Sequence, residues 1–100
     1  MSIVVLVEFP VRPGAVGEFA AALAELLPDT RAREGFESLR GYVDSDDPGT
    51  YVVIERWRQR ADHEGYMRWR VEVGGVGHMA DLMTGAPRIR YLENDPVVDP

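Results

Sequence analysis

Cysteine is absent from the chain, and histidine occurs only twice, at His63 and His78. Without a thiol there is no disulfide framework, no thiolate metal site and no cysteine nucleophile. Two histidines are too few for a histidine-rich metal centre, so no metal is expected. An excess of positive charge is missing as well, since the formal net charge is −6. A nucleic-acid partner would want a basic face, so none is expected. Arginines do gather at Arg56, Arg58 and Arg60 and again at Arg68 and Arg70, but acidic residues are interleaved with them. That mixture reads as a solvated, salt-bridged face. No apolar run approaches the roughly 18 residues needed to cross a bilayer, and the N-terminus lacks the charged start and cleavage site of a signal peptide. The expectation is a cytoplasmic protein without membrane contact. There is also no Gly-x-Gly-x-x-Gly, no Gly-Lys-Ser/Thr and no Gly-x-Ser-x-Gly, which removes phosphate loops and a serine-nucleophile elbow.

What is present is an ordinary globular composition, 45% hydrophobic and 28% charged over 100 residues. That is enough for one domain with a real core. The expected domain spans residues 1–100, with a structured part of about 3–93 and a tail over 94–100. Ile3 to Phe9 is almost wholly β-branched or large and apolar, the pattern of a strand buried on both faces. Pro10 and Pro13-Gly14 end it. Val16, Phe19, Ala20, Leu23, Leu26 and Leu27 then recur at three- and four-residue steps, predicting an amphipathic helix. Pro28 is expected to kink that helix or end its regular part, with a last turn running towards Gly35 as a left-handed C-cap.

Phe36 to Val43 reads as a weaker strand and Tyr51 to Arg58 as a strong one. The turn signal Asp44 to Thr50 joins them into an antiparallel hairpin. A second helix is predicted over Asp62 to about Val73, entered through Gln59, a poor N-cap. Its apolar face holds His63, Tyr66, Met67 and Val73. Val76 to Met83 forms a short irregular helix carrying His78 and Met79, and Pro87 to Glu93 is the last strand.

The order β-α-β-β-α-β is that of an α+β, ferredoxin-like sandwich, with helices covering one face of a four-stranded antiparallel sheet. The first strand is apolar on both sides, so its second face would lie bare in a monomer. A second copy stacking sheet on sheet is the simplest cover, giving a homodimer built as an α+β barrel. Burying a few hundred Å² of apolar surface per subunit would yield on the order of 10 kcal/mol before association costs.

The chemistry concentrates between Tyr51 and His63. Glu55 and Trp57 are two residues apart on a strand and therefore share a face. A carboxylate and a bulky aromatic at a strand's end, beside a helix start, make either a small pocket or a packed core edge. Together with Val-Val-Leu-Val-Glu-Phe-Pro-Val-Arg-Pro-Gly at 4–14, Asp-Asp-Pro-Gly-Thr at 46–50 and Val-Ile-Glu-Arg-Trp at 53–57, followed by Ala61 and His63, the chain resembles the antibiotic-biosynthesis-monooxygenase family of the dimeric α+β barrel superfamily. The likeness covers about residues 3–93. It implies the fold and the dimer, and a cofactor-independent monooxygenase that oxidises a small aromatic, quinol-like or polyketide substrate with dioxygen. No cofactor is implied.

The resemblance places Trp57 on the pocket wall, His63 as the base and Tyr66 as a hydrogen-bond donor to the substrate oxygen. Phe9, Glu55, Met67, His78 and Met79 are the further candidate contacts. Several members carry an asparagine on the first or third strand; here Glu8 is the polar residue of the first, and Val53 stands four before Trp57. That departure speaks against haem degradation. Each assignment has a plainer alternative: Trp57, Tyr66 and the methionines as core, His63 bonded to a carboxylate or to solvent, His78 as an exposed loop residue. Glu8 and Glu55 either pair with each other or with an arginine such as Arg56 or Arg90. The competing functions are a non-oxidative polyketide cyclase or isomerase and a dimeric binding module without turnover. Ultracentrifugation at micromolar concentration should show a dimer, and a lone 11 kDa species would contradict the reading of the bare sheet face.

Overall fold

The computed structural model describes residues 2–99. The elements are β1 (Ile3–Pro10), α1 (Val16–Arg31), β2 (Phe36–Val43), β3 (Thr50–Trp57), α2 (Arg60–Val73), α3 (Gly77–Asp81) and β4 (Arg88–Glu93). They form one antiparallel sheet in the order β2-β3-β1-β4. β1 is therefore an inner strand, paired with β3 on one side and β4 on the other, which is why its sequence is apolar throughout.

The ladder register sorts side chains onto two faces. Val7 lies between Val53 and Ile89, and Val5 between Glu55 and Tyr91, all on the side that the helices cover. Val5, Val7, Val53 and Trp57 form one buried cluster there, while Val11, Phe19, Ala22, Met79 and Leu82 form a second under α1 and α3. On the opposite face Leu6 sits between Ile54 and Arg90, and Val4 between Arg56 and Leu92. Ile54 and Leu92 are exposed, and arginines at 40, 56 and 90 surround this apolar strip.

Several boundaries differ from those expected. Pro28 sits inside α1 without ending it. It falls in the last turn, where Ala32 N–H still reaches the Pro28 carbonyl at 3.3 Å, so the missing proline N–H removes one bond and the helix runs on to Arg31. α2 starts at Arg60, earlier than Asp62, with Gln59 in extended conformation and no side-chain cap. Its buried residues are His63 and Arg70, while Val73 is 55% exposed and Met67 36%. Helical geometry accounts for this: seven residues are nearly two full turns, so Arg70 lies under His63 while Val73 rotates away. The third helix is shorter than expected, because Met83 leaves it for an isolated bridge to Val11. Among the described residues no helix is long and apolar enough to cross a membrane.

The α1–β2 turn fixes where α2 begins. Gly35 has φ +83°, its carbonyl accepts from Arg58 N–H at 2.7 Å, and a Cβ there would overlap the Asp62 carboxylate. Asp62 is itself clamped by Arg58, with Nε to Oδ2 at 3.0 Å and Nη2 to Oδ1 at 3.1 Å. Gly35→Ala should therefore lose about 1–2 kcal/mol from backbone conformation alone, with displacement of Asp62 adding to it. Urea unfolding measures the loss; an unchanged midpoint would contradict this account of the turn.

Candidate active site

Between the helix-covered face of the sheet and the helices lies a cavity of about 150 Å³. A dry cavity of this order has room for one aromatic ring. Val7 and Val53 form its floor and Leu23 and Leu26 of α1 part of its walls. Of the residues expected at a site, Phe9, Glu55, His63, Tyr66, Met67 and Met79 line it, whereas Trp57 and His78 do not.

Trp57 stands behind the wall. It is fully buried, with its ring centroid 5.4 Å from Phe36, 5.4 Å from His63 and 5.3 Å from Tyr66. The indole fills the space beneath the start of α2, so no face of it reaches the cavity. Its contribution is a hydrogen bond: Nε1–H donates to Glu55 Oε1 at 2.9 Å. His78 is on the exposed side of α3, 3.2 Å from the Glu18 carboxylate, because the short helix turns only Met79 inward.

Glu55 is the unusual group. It is 6% exposed, flanked in the ladder by Val5 and Leu39, and bonded only through Oε1. Burial pushes its pKa up, and the indole hydrogen bond pulls the other way without cancelling the shift. The possible Glu8–Glu55 pair does not form, since Glu8 lies opposite Val52, on the outer face, and pairs with Arg90 at 3.2 Å.

His63 is 1% exposed, and its Nδ1 is 2.8 Å from the Tyr91 hydroxyl. Burial lowers its pKa to about 4, although the charge of Glu64 opposes the shift. It is therefore neutral at pH 7, and a weaker proton acceptor than an ordinary histidine. Burial raises the Tyr91 pKa, reinforced by Glu64, so the phenol keeps its proton. When Tyr91 donates that proton to Nδ1, the imidazole proton sits on Nε2. Among the described residues no sealed side-chain polar atom lacks a partner, and Nε2 has none in the protein, so it is the ring nitrogen left open at the cavity that His63 lines.

Tyr66 is also held differently. Its hydroxyl accepts from Arg70 Nε at 3.0 Å and lies 2.8 Å from Thr30 Oγ1. Thr30 Oγ1 also lies 3.1 Å from the Leu26 carbonyl, so the Tyr66 hydroxyl belongs to a buried network with Thr30 and Arg70. Arg70, buried and also on the wall, ties α2 to α1 by donating to Leu26 O at 2.8 Å and Thr30 Oγ1 at 3.1 Å. The sequence reading missed Arg70 and Thr30; the seven-residue step from His63 was the available signal for Arg70. Among the described residues no three His, Asp, Glu or Cys side chains gather as metal ligands.

Fold and geometry together define a small α+β domain with an apolar, partly titratable cavity under its helices. The family profile for Antibiotic biosynthesis monooxygenase matches residues 2–69, and the chain belongs to that family. Rv0793 of Mycobacterium tuberculosis is 35% identical over 78 residues, covering 72% of this chain and 76% of that protein. Its solved structure superposes with a TM-score of 0.77 over 94% of this chain and 95% of that one, at 24% identity. A conserved protein from Methanosarcina mazei gives 0.82 at 18% identity, covering 95% of this chain and 94% of that one. A mutant of SnoaB, a cofactor-independent oxygenase from Streptomyces nogalater, gives 0.78 at 16% identity, over 93% and 92%. At these identities the structural likenesses establish the shared fold.

The two shifted groups act on stability in opposite directions. The unfolded chain protonates histidine from pH 6.5 downwards, while folded His63 resists until about 4. Stability is thus lost as pH falls through that window, by about 3 kcal/mol. Glu55, with a raised folded pKa, contributes stability at low pH that is lost as pH rises through the folded value. Denaturant unfolding of Glu55→Gln between pH 6.5 and 4 should therefore isolate the His63 loss. Adding His63→Gln should remove most of that slope, and equal slopes in the two proteins would contradict it.

Proposed function

We propose that this chain is a cofactor-independent monooxygenase acting on a small aromatic hydroxyl compound, a hydroquinone or a related polyketide ring. The observation that carries the proposal is a one-ring apolar cavity with a raised-pKa carboxyl and a neutral imidazole on its wall. Membership of the monooxygenase family supports it. The chemistry suits such a site. Loss of the phenolic proton leaves an electron-rich anion that reduces dioxygen directly. For a hydroquinone, one oxygen atom enters the ring in place of hydrogen and the other leaves as water, giving a hydroxyquinone. The ring supplies all four electrons, so no external reductant is needed.

In this reading His63 Nε2–H donates to the substrate oxygen and stabilises the charge that develops there. Phe9, Met67, Met79 and the Tyr66 ring hold the substrate's apolar body and exclude water, which strengthens that hydrogen bond. Arg70 and Thr30 keep the Tyr66 ring in place. A second copy of the chain covers the outer face around Val4, Leu6 and Ile54, leaving one cavity in each subunit.

Oxygen consumption on a panel of single-ring hydroquinones and larger anthrones, with chelator present and flavin absent, tests the proposal. Single-ring substrates should be turned over fastest. His63→Ala should reduce the rate roughly 10²-fold, as removal of a transition-state hydrogen bond does. Turnover that persists under argon would replace oxygenation with the non-oxidative cyclase or isomerase, and binding without turnover would leave a ligand-binding module.

A further inference from the structure

Resting on the oxygenase reading, but going beyond the roles drawn from sequence, we infer that Glu55 is the catalytic base: the carboxylate that takes the phenolic proton, held for it by the Trp57 indole. An ionised carboxylate has two oxygens and about four acceptor positions. Glu55 uses one oxygen, for Trp57 Nε1–H, in a location almost closed to solvent. Oε2 has no protein partner, yet no sealed side-chain polar atom among the described residues is orphaned. Oε2 therefore opens onto the space Glu55 lines, the one-ring cavity.

The surroundings explain why no other group fills this role. Across the ladder β1 and β2 present Val5 and Leu39 to Glu55, and neither is polar. From α1 the cavity receives Leu23, Leu26 and the Thr30 hydroxyl, which is already occupied by Tyr66, Arg70 and the Leu26 carbonyl. From α2 come His63, Tyr66 and Arg70. The Tyr66 hydroxyl is engaged by Thr30 and Arg70, and the Arg70 guanidinium also bonds Leu26 O and faces the Asp29 carboxylate of α1. From β4 comes Ile89, which is apolar, while Tyr91 stands outside the lining with its hydroxyl 2.8 Å from His63 Nδ1. Among the residues lining the cavity Glu55 is the one carboxylate, and its Oε2 has no protein partner, while the His63 imidazole shares the wall.

The step balances as a proton transfer. The phenolic O–H bond breaks, the proton bonds to Glu55 Oε2, and the electron pair stays on the phenolate oxygen, where His63 donates to it. Burial of Glu55 assists, because a carboxyl with a raised pKa accepts a phenolic proton more readily than an ordinary one does. The indole on Oε1 leaves Oε2 as the reacting atom.

The test uses the full-length protein with the fastest single-ring hydroquinone of the panel. Wild-type kcat/KM should rise with pH along an acid limb whose midpoint lies above the ordinary glutamate value of 4.5. Glu55→Gln should lower kcat at least about 10²-fold with little change in KM, and abolish that limb. Its melting temperature at pH 7 should equal or exceed the wild-type value, since a buried charge is removed, so an inactive protein is not an unfolded one. Glu55→Asp should recover part of the rate and restore an acid limb. Undiminished turnover in Glu55→Gln, or an acid limb that survives in it, overturns the assignment while leaving the oxygenase intact. Absence of oxygen uptake by wild type with every hydroquinone and anthrone overturns the oxygenase reading and this role with it.

Discussion

The hydrogen bond from the Trp57 indole to Glu55 is the constraint on which the site depends. A carboxyl group buried among valines and leucines is costly unless something bonds it. The indole N–H reaches Oε1 at 2.9 Å because the two residues share a strand face and a two-residue step. The same indole needs a partner of its own when fully buried, so each group satisfies the other. What is left over is one carboxyl oxygen directed at an apolar cavity. Trp57 also sets the spacing of the layer above it, since His63 and Tyr66 both pack on its ring. One aromatic residue outside the cavity therefore positions three residues on its wall.

A second layer of buried polar contacts closes the other end. Arg70 brings a full charge into the helix interface and disperses it over the Leu26 carbonyl, Thr30 and the Tyr66 hydroxyl. It lies on the same helical face as His63, so one helix carries a neutral imidazole and a buried guanidinium to the wall of one cavity. Replacing such a network by half would leave orphaned groups. The arrangement engages the Tyr66 hydroxyl from two sides and so fixes the position of its ring. On the far side of the sheet the chain presents the opposite character, an apolar strip among arginines, suited to contact with a like surface.

Much of the fold was legible because hydrophobic periodicity is a local signal. The unbroken apolar run from Ile3 marks an inner strand, and the three-and-four spacing of Phe19, Leu23 and Leu26 marks α1. The sharing of a face by Glu55 and Trp57 follows from strand geometry alone. What a single chain does not display is which side of a packed layer a side chain meets. Trp57 and Glu55 were grouped rightly, but only tertiary packing puts the indole behind the wall and the carboxyl on it. Val73 was placed inward by its apolar character, whereas turn counting favours Arg70, whose charge masked it. His63 stood out by residue type. Its neutral state depends on burial, and the partner of its Nδ1, Tyr91, lies 28 residues away in sequence. Charged residues that are buried through long-range partners are the ones that pattern reading passes over.

The account turns on the protonation of one carboxyl, and that property can be observed directly. A ¹³C NMR titration of the Glu55 side-chain carboxyl in the ligand-free protein reads it without any assumption about substrate. The account predicts a midpoint above 4.5, the value of an ordinary glutamate, in a folded protein. A midpoint at or below that value would show a solvated or cation-paired carboxylate, and the cavity would then lose the group that gives it its chemistry.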